Sequence, residues 1–435
     1  MTIYNDLNAV LIACLALPAL LLLLVRTERG AGLRATLSRW LERVSGHSDL
    51  RELEWWHVTL VVAAGWAAIV GYNLVTGLYN CSGPGHESDI IGFLNQGRAI
   101  FTGGNPFNVP DCGVTIEEPD GLAAIVINAL GSFGGVAGIA AIWGAISVSI
   151  VPLTWAAAGP DRRYLTVYVT LLPLYFPLVA SQIDGASNAL VPATVLLTLV
   201  LARRRESTAT GLAGFLATQR FPTMFPTVAL SGSLRRRYAP ALSGLAVFAA
   251  GTGLCYVLWG HEFIGPVFLD QLGRHSFSLN FWGILLLQDW LPAGFGLVAV
   301  QGLLTLALVL VVFFSVRSPL RAAAITLAGV ALLTQYLSFN ILVWLLPAAL
   351  VGARPRWWLW GIAVLGTVNY NLLLGVYAWQ QGILWPSEVA DVLLTVCLVG
   401  LLVDLWRIER AARAAGARAE GAAAGAPTSG ETTTS

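Results

Sequence analysis

The sequence predicts an all-α polytopic transmembrane helical bundle, and three observations carry that reading. Of the 435 residues, 56% are hydrophobic and only 11% charged, too little polarity to clothe a water-exposed surface. The apolar residues gather in runs near the ~20 residues that a bilayer demands. The basic residues, all of them arginine, fall in clusters between those runs. When the runs are threaded back and forth, every cluster lands on one side, as the positive-inside rule requires.

Taken in order, residues 7–25 form a first span. No basic stretch precedes it, so it reads as a retained span and not a cleaved signal peptide. Residues 26–51 are arginine-rich, and Leu33, Leu37, Trp40, Leu41 and Val44 recur at helical spacing, which suits a helix lying on the cytoplasmic membrane surface. Residues 1–55 thus make an amino-terminal unit. The main module, 56–350, begins with a span at 56–74 that returns outward, followed by a long polar loop at 79–120. Residues 121–130 are too short to span and suit a helix dipping into the interface. Residues 134–157 cross inward to Asp161-Arg162-Arg163, 164–180 go out, and 187–201 come back to Arg203-Arg204-Arg205.

Residues 208–233 lie between two triple-arginine clusters, the second being Arg235-Arg236-Arg237. Both ends therefore face inward, with room for only two half-length helices meeting near Arg220-Phe221-Pro222, where Pro222 breaks any single span. Such a broken hairpin is tolerated at membrane depth only where protein covers it or a cavity adjoins it. Residues 239–259 go out to a second external loop at 260–289. Spans at 297–316, 322–338 and 341–351 follow, and then the carboxy-terminal spans of residues 351–406. The total is about 11–13 membrane segments. Residues 407–435 read as a cytoplasmic disordered tail, since the Ala, Gly, Thr and Ser after Ala415 cannot bury a core.

Chemistry is expected in the first external loop, where polar residues concentrate. Glu87 and Asp89 follow a span and precede a helix-compatible run at 90–101. Asp89 or Ser88 caps that helix, and a carboxylate fixed at a helix start is also an oriented general base. Cys81 and Cys112 bracket the loop on the oxidising side and are expected to form a disulfide. Asp184, with Asn188 one turn later, is either an external turn or a rim that grips sugar hydroxyls or a phosphate. Arg220, at the hairpin tip and far in sequence from the arginine clusters, needs water, a carboxylate or a phosphate. A guanidinium matches phosphate oxygens two at a time; an ion pair is the alternative.

In the second loop, His261, Glu262, Asp270 and His275 match no compact metal-ligand spacing, so no metal is expected. Arg274 and His275 suit lipid phosphate or acceptor contacts. Gln335, Tyr336 and Asn340 form a polar patch at an outer membrane edge, where interfacial placement is the simpler account. The near-neutral charge of +1 says little about partners.

Ser88-Asp89-Ile90, an amide-rich helix with Asn95 and Gln96, and then Gly103-Gly104-Asn105-Pro106-Phe107 resemble the first external loop of polyprenol-phosphate-sugar-dependent glycosyltransferases of the GT-C superfamily. The likeness is closest to the bacterial alpha-mannosyltransferase branch (glycosyltransferase family 87). Gln182 and Asn188, the hairpin with Arg220, Pro222 and Pro226, and a segment with Tyr336, Trp344 and Pro347 follow in the expected order. The resemblance covers roughly residues 56–347. It implies a GT-C-like module with Asp89 as catalytic base and Arg220 on the donor phosphate. Asn105, Glu87, Gln182, Asp184, Asn188, Arg274, His275 and Tyr336 would then contribute to substrate binding.

The implied donor is a polyprenyl-phosphate-linked sugar and the implied acceptor a glycan or glycolipid. The site would lie on the extracytoplasmic face of the cell membrane, with membrane lipid as a partner, no cofactor and no nucleic acid. Two departures stand out: Arg220 replaces the usual lysine, and Glu118-Pro119-Asp120-Gly121 replaces a Tyr-x-Pro signature. An inactive scaffold, or a transporter or flippase for a lipid-linked or polar substrate, is the alternative.

Overall fold

In a computed structural model, the described residues are 32, 35, 39, 55–75, 89–111, 114–117, 121–158, 187–202, 206–219, 224–233, 238–266, 279–287, 290, 294–335, 337, 339–370, 373 and 381–424. Helices dominate them. Four are long and apolar enough to cross a membrane: Gly135–Ala158, Ala241–Trp259, Phe295–Ser315 and Trp385–Ala419. The described parts of residues 79–120 and 208–233 lie mainly in shorter helices and a small β-hairpin. The expected spans at 7–25 and 164–180 lie outside the described residues. Of the expected amphipathic helix only Gly32, Ala35 and Arg39 are described, each helical.

Helix α1 is Trp55–Val75 and α2 is Asp89–Thr102, one residue from the start expected for it. A small antiparallel hairpin follows, β1 (Asn108–Asp111) with β2 (Val114–Glu117), in the register Asn108↔Glu117 and Asp111↔Val114. The all-helical reading did not foresee it. Val109, Val114 and Ile116 are β-branched and suit an extended pair, and Val109 is buried. Helix α3 is Leu122–Ser132 and α4 is Gly135–Ala158. A 3-10 turn at Ser187–Ala189 leads into α5, Leu190–Ala202.

Where the broken hairpin is expected, the described residues form two short helices and a turn, and residues 220–223 lie outside the described residues. The elements are α6 (Glu206–Leu216), a 3-10 turn at Ala217–Gln219, and α7 (Met224–Ser233). Helices α8 (Tyr238–Trp259), the single turn α9 (His261–Ile264), α10 (Phe281–Leu287), α11 (Phe295–Ser315) and α12 (Pro319–Leu333) follow. Next comes a 12-residue 3-10 helix, Phe339–Leu350, buried from Ile341 to Ala349. So long a 3-10 run is uncommon, but at ~2.0 Å per residue it reaches about 24 Å, further than an α-helix of equal length. Helix α13 is Ala353–Val368 and α14 is Trp385–Ala424.

Helix α14 corrects one expectation. It runs unbroken for 40 residues, so residues 407–424 are helix and not a disordered tail. Residues 407–424 lack proline and are rich in Ala, Arg and Glu, all strong helix formers. Two of its carboxylates fasten it to the bundle at the arginine-rich end. Glu409, fully buried, meets the Arg321 guanidinium and Arg413, and it accepts the Arg317 backbone N–H at 3.2 Å. Asp404 accepts the Trp358 indole N–H at 2.9 Å.

The largest apolar core joins α4, α5, α7, α11, α12, the long 3-10 helix, α13 and α14. A second cluster unites α1 through Val70, α2 through Ile90, Phe93 and Leu94, α3 through Ala124, α4 through Ile139, Ala140 and Trp143, and α5 through Leu190. This second cluster positions the candidate site.

Candidate functional site

Helix α2 opens on Asp89, which is half-buried. A carboxylate in the first turn sits where the helix N–H groups converge, a favourable placement for negative charge. The next residue, Ile90, is 1% exposed and belongs to the same cluster as Leu190, two residues after Asn188. Residues one and two positions from Asp89 and Asn188 thus belong to one apolar cluster. Asn188 is itself buried in the Ser187–Ala189 turn.

The rest of α2 is fixed by polar side chains that the apolar surroundings leave no alternative to pair. Asn128 on α3 donates its Nδ2 to Gln96 Oε1 at 2.6 Å, and its Oδ1 accepts the Trp143 indole N–H at 2.8 Å. Gln96 and Asn128 are both fully buried, so these bonds act in a low-dielectric interior where an orphaned partner is costly. Gly97 permits the contact, since a Cβ there would lie 2.2 Å from the Asn128 carbonyl oxygen. Three helices are thereby held in one arrangement.

The Gly103–Phe107 motif does structural work in this arrangement. Gly103 ends α2 at φ +70°, a left-handed conformation that favours glycine. The Asn105 side-chain oxygen accepts the Phe107 backbone N–H at 2.9 Å, an Asx turn. Phe107, fully buried, inserts against Trp259 and Phe263 with ring centroids 5.5 and 5.2 Å away. Asn95 Nδ2 donates to the Pro110 carbonyl at 2.6 Å and ties β1 to α2. The structure therefore gives Asn105 a turn-forming role.

The hairpin tip docks onto the start of α3. The Gly121 N–H donates to the Gln219 carbonyl at 2.6 Å, and the Ala123 N–H donates to Thr218 Oγ1 at 3.0 Å. Thr218 in turn donates to the Phe215 carbonyl at 2.6 Å. These bonds satisfy N–H groups that a helix start leaves open. On its other side Gln219 Nε2 donates to the Ser187 carbonyl at 3.1 Å. The tip thus bridges α3 and the turn that carries Asn188.

A small polar cavity adjoins this junction. It is lined by Thr194, Gln219, Thr227 and apolar neighbours including Val191 and Ala217, with room of about 10 Å³, roughly that of one water molecule. Gln219 Oε1, Ser187 Oγ and Thr194 Oγ1 are buried without a hydrogen-bond partner among the described residues. Buried polar atoms are normally satisfied, so a water or a ligand hydroxyl is the natural partner here.

Of the residues that the resemblance implies for the site, Asp89, Asn105 and Asn188 are described. Glu87, Gln182, Asp184, Arg220, Arg274, His275, Tyr336, Cys81 and Cys112 lie outside the described residues. Arg220 follows directly on Gln219. Sequence reasoning overlooked Thr218, Ser187 and Asn128. Asn128 is a lone polar residue in an apolar stretch, while Ser187 and Thr218 lie within two residues of the Asn188 and Arg220 that drew the attention.

It also passed over a buried polar group where α13 ends and α14 begins. There Asn369 Nδ2 donates to Asp391 Oδ1 at 2.5 Å and Ser387 Oγ donates to Asn369 Oδ1 at 2.7 Å. Asp391, an acid within an apolar run, was the available signal. Among the described residues no three His, Cys, Asp or Glu side chains gather as metal ligands would. No protein-family model matches the chain, and a search of curated proteins finds no match.

Proposed function

We propose that the chain is a membrane-embedded glycosyltransferase. It would move a sugar, mannose by the family resemblance, from a polyprenyl-phosphate donor to an extracytoplasmic glycan or glycolipid. The observation that carries this reading is the docking of the hairpin tip. Gln219, the residue before Arg220, bonds both the start of α3 and the turn that holds Asn188. The helix that opens on Asp89 is clamped to α3 through Asn128. The helix that opens on Asp89 and the hairpin tip are thus both bonded to α3.

In the proposed reaction Asp89 takes the proton from an acceptor hydroxyl as that oxygen bonds the anomeric carbon. The bond from the anomeric carbon to the phosphate oxygen breaks, and polyprenyl phosphate departs with the electron pair. Arg220 offsets the charge that grows on that phosphate. Asn188 and Gln182 orient the sugar.

The test is turnover of radiolabelled polyprenyl-phosphate mannose by membranes carrying the full chain. Wild type should transfer label to a membrane or glycan fraction. Asp89→Asn should lower the rate by at least about 100-fold, the usual range for losing a general base. Undiminished transfer by Asp89→Asn would remove Asp89 from the reaction. Proteoliposomes that move a solute without any transfer would replace the reading with transport.

A further inference from the structure

The arginine-rich end of the bundle carries a second candidate site, unrelated to the hairpin junction. A groove of about 360 Å³ runs between α13 and α14, lined by Arg354, Trp357, Trp358, Gly400, Val403, Asp404 and Arg407. Its walls combine two guanidinium groups with two indoles and an apolar floor. That composition marks a boundary between hydrocarbon and water, where Trp and Arg concentrate.

The charge arrangement decides what fits. Asp404 Oδ1 lies 3.3 Å from Arg407 and 3.9 Å from Arg354, while Oδ2 takes the Trp358 indole N–H. The carboxylate is buried, but the arginine side chains are 68% and 75% exposed. Asp404 therefore acts as a buried post that steers both guanidinium groups toward the groove and leaves them donors to spare. Two cations against one anion leave the groove one positive charge in excess. Helix α13 also starts here, and Gly352 before it supplies no side-chain cap. Its dipole adds to the attraction for an anion.

Gly400 keeps the groove open. A Cβ there would fall 2.6 Å from the Trp358 ring, so the glycine lets that indole lie against α14 with its N–H turned to Asp404. Val403 and Trp357 are 40% and 61% exposed and offer apolar surface to an acyl chain next to the guanidinium pair.

We propose that this groove binds the phosphodiester headgroup of an anionic phospholipid, with Arg354 and Arg407 on the phosphate and a chain lying along Val403 and Trp357. Basic pockets between membrane helices take such headgroups, and each arginine near an anionic surface contributes a several-fold gain in affinity. The site fixes α13 to α14 from the lipid side and is independent of any sugar transfer.

The test is native mass spectrometry of the full chain in detergent, titrated with phosphatidylglycerol and, separately, phosphatidylcholine. Wild type should retain phosphatidylglycerol in preference. Arg354→Gln with Arg407→Gln should weaken that binding about tenfold or more. Val403→Trp, which fills the groove and keeps its charges, should do likewise. Arg410→Gln removes an exposed arginine outside the groove and should change little.

Equal loss in Arg410→Gln would overturn the site in favour of diffuse surface charge. Unchanged binding in Val403→Trp would overturn the groove itself. Displacement of phosphatidylglycerol by an equal concentration of inorganic phosphate would make the ligand a soluble anion and refute the lipid. Should the double arginine variant fail to fold, Val403→Trp against Arg410→Gln carries the decision.

Discussion

Gly121→Ala tests whether the hairpin tip is held where the hydrogen bonds put it. A Cβ at this position would lie 1.7 Å from the Thr218 carbonyl oxygen. Ordinary heavy-atom contacts are ~3.5 Å or more, so the tip must withdraw by nearly 2 Å or α3 must start elsewhere. Neither movement preserves the 2.6 Å bond from the Gly121 N–H to Gln219 or the 3.0 Å bond from the Ala123 N–H to Thr218.

Overpacking typically costs about 1–3 kcal/mol, and one or two lost buried hydrogen bonds add about 1 kcal/mol each. A destabilisation of about 2–5 kcal/mol follows. For a chain of this length that lowers the thermal midpoint by roughly 2–8 °C. The assay is thermal unfolding of the full chain in detergent, with amide exchange of residues 121–125 and 215–219 as a local readout. Gly71→Ala is the matched control: its Cβ would meet nothing within 4 Å, and replacing glycine inside a helix is mildly stabilising. An unchanged midpoint and unchanged exchange protection in Gly121→Ala would refute the docked tip.

Two further predictions concern buried polar groups. Asn128→Ala leaves Gln96 Oε1 and the Trp143 indole N–H unpaired in an apolar interior, and should cost about 2–4 kcal/mol. Trp fluorescence and the thermal midpoint report it, and a neutral outcome would mean that α2 is held by apolar packing alone. Glu409→Gln strands Arg321 and Arg413 and should cost up to about 3–5 kcal/mol, tempered because both arginines reach solvent. Adding Arg321→Gln should recover part of the loss in a double-mutant cycle, whereas strict additivity would show that the pair is not coupled.

Much of the architecture was legible locally. Hydropathy marked α1, α4, α8 and α11 to within a residue or two, because a span must be both long and apolar. The two short helices α6 and α7 were legible for a related reason: arginine clusters bound the segment on both sides, and 26 residues leave no room for two full crossings. The Phe339–Leu350 segment was placed by sequence but not recognised as a 3-10 helix, since the apolar pattern carries no mark of helical pitch. The end of α14 was misread because low hydrophobicity was taken for disorder, although alanine and arginine favour helix without any core.

The junction itself was not legible. Asp89 was found from its place between a span and a helix, and Asn105 from a motif whose function in the fold is to seat Phe107. The residues that join the parts were missed because hydrogen-bond partners need not be near in sequence. Ala123 and Thr218 are 95 positions apart, and Gln96 and Asn128 are 32.

By itself the sequence determined the membrane-helical class, the positions of the long apolar helices, the bounds of the 208–233 segment and the concentration of polar residues between α1 and α3. Each follows from hydropathy and charge read along one dimension. Tertiary structure alone decided that the hairpin tip sits on Gly121, that Asn128 clamps α2, and that two arginines and two tryptophans enclose a groove. A buried donor takes whichever acceptor the fold brings within about 3 Å, and that choice is made in space.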